Sequence, residues 1–139
     1  MSTVRDIAER LAAKGLGTIA GSGPEPTIFP GRRPDSPDRM LSVQSYPGDP
    51  PRLLDGDNLP ADERVAFQIT ARVARGSGQG AAEVLADQAF RALVGRHLTI
   101  NGRTYHWIRA NHLPASIGVD ENDRPLVVVN MTARRRGTF

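Results

Sequence analysis

Residues 65–73 constrain the fold more than any other segment of this chain, because their side chains alternate between apolar and polar. The apolar side chains share one face of an extended strand and are Val65, Phe67, Ile69, Ala71 and Val73. The intervening polar residues include Gln68, Thr70 and Arg72. A strand with this period of two belongs to a sheet that buries only one face, so other elements must cover that face.

Two segments have the apolar spacing of amphipathic helices. In the first, residues 3–14, the apolar positions are Val4, Ile7, Ala8 and Leu11. In the second, residues 81–94, they are Leu85, Ala89, Ala92 and Leu93. Gly15 and Gly95 stand where each helix is expected to end. We expect both helices to pack across the apolar face of the sheet.

Short runs of strand-forming residues supply the rest of the predicted sheet. Residues 27–29 predict an edge strand, and residues 40–46 and 126–134 predict two further strands. Residues 98–100 and 104–108 flank Asn101-Gly102, the pair favoured in tight hairpins. The predicted fold is α+β, with a mostly antiparallel sheet of about four to six strands and two helices packed on one face.

The chain of 139 residues has the length of a single domain, residues 1–139, with a long polar loop at about 47–63. Loops this long in compact domains are commonly functional, so we interpret it as a contact arm. The C-terminal run of arginines is a second candidate contact, although such a tail is more often simply solvated. The predicted contact residues are Tyr46, Arg52, Asp55, Asp57, Arg134, Arg135 and Arg136.

A glycine-rich segment, residues 76–81, fits the dinucleotide pattern G-x-G-x-x-A between a strand and a helix. The preceding strand alternates, however, whereas a central parallel strand reads as a continuous apolar run, and no acidic residue follows at about 20 positions. Residues 55–58 resemble a calcium loop only faintly, because Pro60 replaces the required glycine. We therefore predict no cofactor and no metal site.

Catalytic signatures are missing from the sequence. There is no cysteine, no G-x-S-x-G elbow and no P-loop, and the three histidines, His97, His106 and His112, lack the spacing of zinc ligands on a helix. The excess of 18 basic over 15 acidic residues is too small to indicate nucleic-acid binding by itself. No apolar run approaches the roughly 20 residues needed to cross a bilayer. These observations favour a soluble, non-enzymatic protein.

Two aromatic residues, Tyr105 and Trp107, lie two positions apart on the predicted hairpin. The spacing would suit a platform on which nucleic-acid bases stack, but a strand also fills a core in this way. With so few aromatic residues in the chain, we predict that both belong to the core.

Collinear segments along the whole chain resemble the phage tail-terminator family, also described as minor capsid proteins. These segments are residues 7–17 (IAERLAAKGLG), the turn at 34–38 (PDSPD) before the strand that ends in Tyr46-Pro47-Gly48, residues 98–105 (LTINGRTY) and residues 118–125 (GVDENDRP). The glycine-rich stretch at 76–80 departs from the family's usual strand-to-helix connection.

The resemblance implies a structural virion protein, made in the host cytoplasm, that assembles as a hexameric ring at the head–tail junction. The implied ring caps the tail tube, stops its polymerisation and joins it to the head-completion proteins, and genome DNA passes through its lumen without sequence-specific binding. The family brings no cofactor, no catalytic residue and no membrane contact.

Two alternatives remain open from the sequence. A head-completion stopper or adaptor of the neck is also a small ring-forming subunit. In a different class, a nucleotide- or nucleic-acid-binding domain would use the 76–80 loop or the terminal arginines, and it would bind DNA in a salt-sensitive way or gain thermal stability with dinucleotides.

Overall fold

The computed structural model describes residues 3–21, 25–46, 52–53 and 61–137, which form two helices and eight strands. The helices are α1 (Thr3–Ala13) and α2 (Gln79–Leu93). The strands are β1 (Ile28–Pro30), β2 (Met40–Tyr46), β3 (Arg52–Leu53), β4 (Ala61–Arg72), β5 (Gly95–Ile100), β6 (Arg103–Ala110), β7 (Ala115–Val119) and β8 (Pro125–Gly137).

All eight strands belong to one sheet, whose main path runs β1-β2-β4-β8-β6-β5. The short strand β3 pairs with β4, and β7 pairs with β8. Every pairing is antiparallel except that of β1 with β2. The α+β class and the mostly antiparallel sheet are therefore confirmed, with two more short strands than the predicted upper number.

Both helices pack on the same face of the sheet, as predicted, and form one hydrophobic core with it. Four of the five apolar side chains identified from the sequence in residues 65–73 lie in this core, whereas Val65 is only half-buried. Phe67 and Ile69 are fully buried. Val129 and Met131 of β8 lie beside them, because β4 and β8 are paired along their whole common length.

We call the opposite side of the sheet the open face, although it is covered at one end, where Ser42, Thr70 and Arg72 are buried. The prediction that only one face is buried is therefore wrong for that end of the sheet.

Local sequence signals explain how two of the elements end. The amides of Gly15 and Leu16 bond to the carbonyls of Ala12 and Leu11, and Gly15 has a positive φ of 81°, which is the glycine-dependent stop expected after α1. In the β5–β6 hairpin, Asn101 and Gly102 both have positive φ, as a type I′ turn requires. The hairpin prediction is confirmed.

A buried carboxylate attaches α1 to this hairpin. Asp6 is fully buried and accepts hydrogen bonds from the Tyr105 hydroxyl and the Arg103 guanidinium, both at 2.6 Å, and from the Asn101 amide at 3.0 Å. Burial and the hydrogen bond to Asp6 raise the pKa of Tyr105. The Tyr105 hydroxyl and the Asp6 carboxylate thus satisfy each other's hydrogen-bonding groups inside the core.

The structure corrects the predicted loop and tail. β4 begins at Ala61, not at Val65, and β3 pairs with its first two residues, so part of the predicted 47–63 loop is a β-ladder. β8 continues to Gly137, so the backbone at residues 134–136 is paired with β4 and is not a tail. β7 lies in a segment with no predicted element, and Gly95 begins β5 directly.

A β-bulge explains the one wrong core assignment. The register between β6 and β8 shifts between Tyr105 and Trp107, and His97 on the neighbouring strand has a φ of 54°. The shift turns two residues that would share a face onto opposite faces. Tyr105 is in the core as predicted, whereas Trp107 is half-buried on the open face.

Neither helix is long and apolar enough to span a bilayer, within the part of the chain that the structure describes.

Candidate functional site

A row of four side chains crosses the open face of the sheet, one from each of four neighbouring strands. Arg96 of β5 is opposite Trp107 of β6, which is opposite Arg134 of β8, and Arg134 is opposite Arg64 of β4. Arg109 lies two residues after Trp107 on the same strand. We call these five residues the cationic patch. At a strand spacing of about 4.8 Å, the row is roughly 14 Å long.

Trp107 organises the centre of the cationic patch. The guanidinium carbon of Arg109 lies 4.5 Å from the centroid of its ring, and that of Arg64 lies 5.8 Å away. Both distances are within the range of cation–π attraction. The ring therefore orients two guanidinium groups on the open face.

Three of the four arginines in the cationic patch, all except Arg134, are poorly neutralised. Arg64, Arg96 and Arg109 form no ion pair with any side chain in the described ranges, and the Nε atom of Arg64 is buried there without a hydrogen-bond partner. A shallow cavity of about 310 Å³ opens at the patch, and no carboxylate lines it. Its lining residues are Arg96, His97, His106, Trp107 and Arg134.

The arginines at the other end of the open face are buried and have carboxylate partners. Arg72 and Arg124 are buried, and Arg124 Nε donates to Asp120 Oδ2 at 2.8 Å. Arg124 also bonds Asp35 and Asp38, while Arg72 donates to the carbonyls of Pro37 and Asp38. We call Arg72, Arg124 and Asp120 the buried arginine cluster. It fixes the 35–38 turn against the sheet.

The carboxylate of this cluster is held in its charged form. Burial alone raises the pKa of Asp120, but hydrogen bonds from the backbone amides of Arg124 and Asn122 and from the Arg124 guanidinium outweigh it. The pKa of Asp120 therefore lies below its usual value. The ion pair is part of the folded structure at neutral pH.

An apolar edge lies on a third surface. All five residues of β7 are exposed, and its outer edge has no strand partner in the described part of the chain. Leu113 is 75% exposed, Ile117 53% and Val119 55%. Exposed apolar residues on an unpaired strand are typical of a surface that another chain covers.

The predicted contact residues from the long loop lie at one end of the sheet, as far as they can be placed. Tyr46 ends β2 opposite Ala66, and Arg52 lies in β3 opposite Asp62. Asp55 and Asp57 lie outside the described residues. The structure thus puts Tyr46 and Arg52 beside the first half of β4.

The predicted C-terminal arginines occupy successive positions of β8 and have different surroundings. Arg134 lies on the open face as part of the cationic patch. Arg135 lies on the helix side, where its Nε bonds Glu63 Oε2 at 2.8 Å. Arg136 is opposite Asp62 in the ladder. Of the two whose side chains the structure describes, only Arg134 therefore belongs to the cationic patch.

The glycine-rich motif lies in a turn before α2, and the calcium-like motif at 55–58 lies outside the described residues. Gly76 and Gly78 have positive φ in the turn before α2, which begins without a side-chain cap, and no dinucleotide-sized cavity includes these glycines among those the structure describes. No group of three or more metal-ligating side chains occurs in the described ranges. His97 and His106 instead line the cavity of the cationic patch.

Sequence reasoning missed most of the cationic patch. Arg64, Arg96 and Arg109 are far apart in the sequence, and the register that aligns them with Trp107 depends on the bulge. A periodic pattern carries no signal for a bulge. The pairing of Asp120 with Arg124 is local and was visible in principle, as opposite charges four residues apart.

Comparison with known proteins gives one family and one fold. Residues 10–136 match the family model described as "Bacteriophage tail terminator protein". A solved structure titled "Virion of native gene transfer agent (GTA) particle" contains a similar chain, with a TM-score of 0.62 and 17% sequence identity over 98% of this chain and 96% of that chain. That likeness shows the fold alone. No curated protein matches the sequence.

Proposed function

Because the chain belongs to the bacteriophage tail terminator protein family, we propose that it forms a ring of six subunits that caps the tail tube and stops its polymerisation. Family membership makes the chain a structural protein of the phage tail. The proposed ring also joins the tube to the head-completion proteins, and genome DNA passes through its lumen. The role is mechanical, with no catalytic step.

The apolar edge at β7 is the observation in the structure that most supports ring formation. A closed ring joins two different patches of the same subunit, so each copy must present a surface that is complete only when a neighbour covers it. Leu113, Ile117 and Val119 expose apolar side chains beside unpaired backbone groups. Strand addition by a neighbouring subunit would satisfy both.

We propose further contacts with neighbouring subunits or the tube protein through the residues predicted from the sequence. They are the loop residues Tyr46, Arg52, Asp55 and Asp57 and the β8 residues Arg134, Arg135 and Arg136. Support for the loop is its polar composition, with little apolar content to hold it in a core. Arg135 is the weakest member, because Glu63 already neutralises it.

Particles produced without this protein test the function directly. We expect tail tubes of variable, mostly excessive length that do not join heads, measured by electron microscopy of negatively stained lysates. In cryo-electron microscopy of complete particles, the chain is expected as a six-fold ring between the last tube ring and the head-side proteins. Density on the connector side would make it a stopper instead, and tubes of normal length without it would refute termination.

The β7 edge is tested by one charged substitution with a matched control. Ile117→Asp places a carboxylate in the proposed interface, whereas Val84→Asp alters an equally exposed apolar residue (58% exposed) on α2. We expect Ile117→Asp to reduce complementation of the deletion phage at least tenfold in titre and Val84→Asp to leave it near wild type. Equal titres would remove β7 from the interface.

The loop contact can be tested without breaking the fold. Leu53 and Ala61 are direct partners in the β3–β4 ladder, so replacing residues 54–60 with Asn-Gly closes the two strands with a two-residue turn. We expect the shortened protein to fold but to fail in particle assembly. Asp55→Asn with Asp57→Asn keeps the length and reports on charge alone. Full complementation by the shortened chain would contradict the proposed loop contact.

A further inference from the structure

We propose that His112 is a positioning residue for the apolar edge, because its imidazole holds the start of β7 against β8 in the geometry that a neighbouring subunit meets. The proposal rests on the ring interface argued above and names a side chain that orders this interface in the free chain. Two contacts of one ring carry it. His112 Nε2 accepts a hydrogen bond from the backbone amide of Asn130, and Nδ1 lies 2.6 Å from the carbonyl oxygen of Leu113.

The ring lies at a gap in the pairing of β8. On the side of β8 that carries both β6 and β7, the ladder with β6 ends at Met131 and the ladder with β7 begins at Val128. Asn130 lies in this gap. Its carbonyl accepts from the Asn111 amide at 2.8 Å, and its own amide donates to His112 Nε2 at 3.2 Å. The imidazole thus stands where the carbonyl of a paired strand would be.

The partners of the ring define its tautomer. A backbone amide can only donate and a carbonyl oxygen can only accept, so Nε2 is the acceptor and Nδ1 carries the hydrogen. One neutral ring therefore connects the backbone of β8 to Leu113, the first apolar residue of the edge. Because the Leu113 side chain is exposed, burial does little to place it. The bond from the ring to its carbonyl fixes the backbone there.

A different contact fixes the other end of β7. Asp120 directly follows Val119, and its carboxylate accepts from the backbone amides of Asn122 and Arg124 within the buried arginine cluster. β7 thus runs between two fixed points, with one side paired to β8. A segment that is ordered before binding loses less conformational freedom when a partner arrives. The two contacts therefore prepare β7 for strand addition, and His112 supplies the one that is exposed to solvent.

Both nitrogens of His112 are occupied by backbone groups, which separates it from the other two histidines. A metal ligand or an acid–base residue needs a nitrogen that is open to the ion or the substrate. His97 and His106 line the cavity of the cationic patch. Linking two backbone segments is therefore the chemistry that the surroundings of His112 support.

The free chain gives the first test, by NMR at neutral pH. A long-range ¹H–¹⁵N spectrum should show one imidazole that is protonated at Nδ1 and unprotonated at Nε2, and this signal should disappear in His112→Leu. Hydrogen exchange of the Asn130 amide should be about tenfold faster in His112→Leu. In His112→Gln it should stay within about threefold of wild type, because the glutamine amide has both an acceptor oxygen and a donor NH₂. Unchanged exchange in His112→Leu would overturn the proposal.

The second test is complementation of the deletion phage by the same variants. We expect His112→Leu to lower the titre about tenfold without changing the urea midpoint of the free chain, and His112→Gln to recover most of that loss. The control is His106→Leu, which removes a ring that lines the cavity of the cationic patch, and its titre should stay near wild type. A wild-type titre in His112→Leu, or an equal loss in His112→Gln, would refute the positioning role.

These results separate the positioning role from the function on which it rests. If Ile117→Asp lowers the titre and His112→Leu does not, the interface at β7 stands and only the role of His112 fails. If tails have normal length without the protein, termination fails, whereas the NMR result on the free chain stands.

Discussion

The two ends of the open face both carry arginines, but these arginines differ in burial and in their pairing with carboxylates. At one end Arg124 is 5% exposed and shares three carboxylates, those of Asp35, Asp38 and Asp120. At the other end Arg96 and Arg109 remain exposed on either side of Trp107, without a carboxylate partner in the described ranges. One sheet face thus combines a buried arginine that is paired with carboxylates and two exposed arginines that have no carboxylate partner in the described ranges.

The difference shows how the surroundings of an arginine decide whether the fold depends on it. A buried charge destabilises a fold unless it is paired, so Arg124 requires its carboxylates and the 35–38 turn that brings two of them. Exposed arginines such as Arg96 and Arg109 have no such requirement, because water solvates them. The first end should therefore respond to mutation in stability, and the second should not.

The largest expected effect is the loss of Arg124. Arg124→Met leaves the Asp120 carboxylate, 11% exposed, with only Arg72 at 4.0 Å as an ion-pair partner, and breaking a buried pair costs about 3–5 kcal/mol. We expect the free energy of unfolding, measured by urea titration with far-UV circular dichroism, to fall by that amount.

A second mutation and a matched control sharpen this result. Adding Asp120→Asn to Arg124→Met removes the stranded charge and should recover part of the loss. Arg75→Met alters an arginine that is 77% exposed and lies 3.9 Å from Asp123, and it should change stability by less than about 0.5 kcal/mol. A similar loss in Arg75→Met would show that exposed and buried arginines do not differ as argued.

Arg72 should matter less than Arg124, although both are buried. Burial and the neighbouring charge of Arg124 lower the pKa of Arg72, and its distance to Asp120 is 4.0 Å. Arg72→Met removes the donors to the Pro37 and Asp38 carbonyls, for an expected loss of about 1–3 kcal/mol by urea titration. A loss exceeding that of Arg124→Met would make Arg72 the main support of the turn.

Acid should weaken the buried arginine cluster. Because the folded pKa of Asp120 is lowered, its contribution to stability is complete above the unfolded value of about 3.9 and is lost as the pH falls towards the folded value. Wild-type unfolding free energy should drop over this range more steeply than that of Asp120→Asn. Parallel curves would contradict the lowered pKa.

Much of the fold was predictable because its signals are periodic or local. The alternation in residues 65–73, the glycine after α1 and the Asn101-Gly102 turn each report on backbone geometry within a few residues. The extra length of β4 and β8 was not visible, because arginine and acidic side chains at the sheet's end break the apolar pattern. Only the pairing of the strands, which is non-local, extends them.

The cationic patch shows the limit of sequence reasoning more clearly. A bulge between Tyr105 and Trp107 reverses the face of the second ring, and the irregular conformation of His97 accompanies it on β5. Without the bulge, Trp107 would share the core face of Tyr105, as predicted from the sequence. Arg134 lies in the patch and Arg135 does not, since alternation along β8 puts these two predicted contact residues on opposite faces.

The smallest expected effect on stability completes the contrast between the two ends. Arg96→Gln/Arg109→Gln removes exposed charges that have no ion partner in the described ranges, so the free energy of unfolding in urea should stay within about 0.5 kcal/mol of wild type. Losing the Arg109 contact with Trp107 costs little at an exposed site, and the reduced repulsion around Arg134 acts in the opposite direction. A loss as large as that of Arg72→Met would mean that the patch supports the fold, because removing exposed arginines that pair with no carboxylate should not destabilise the sheet.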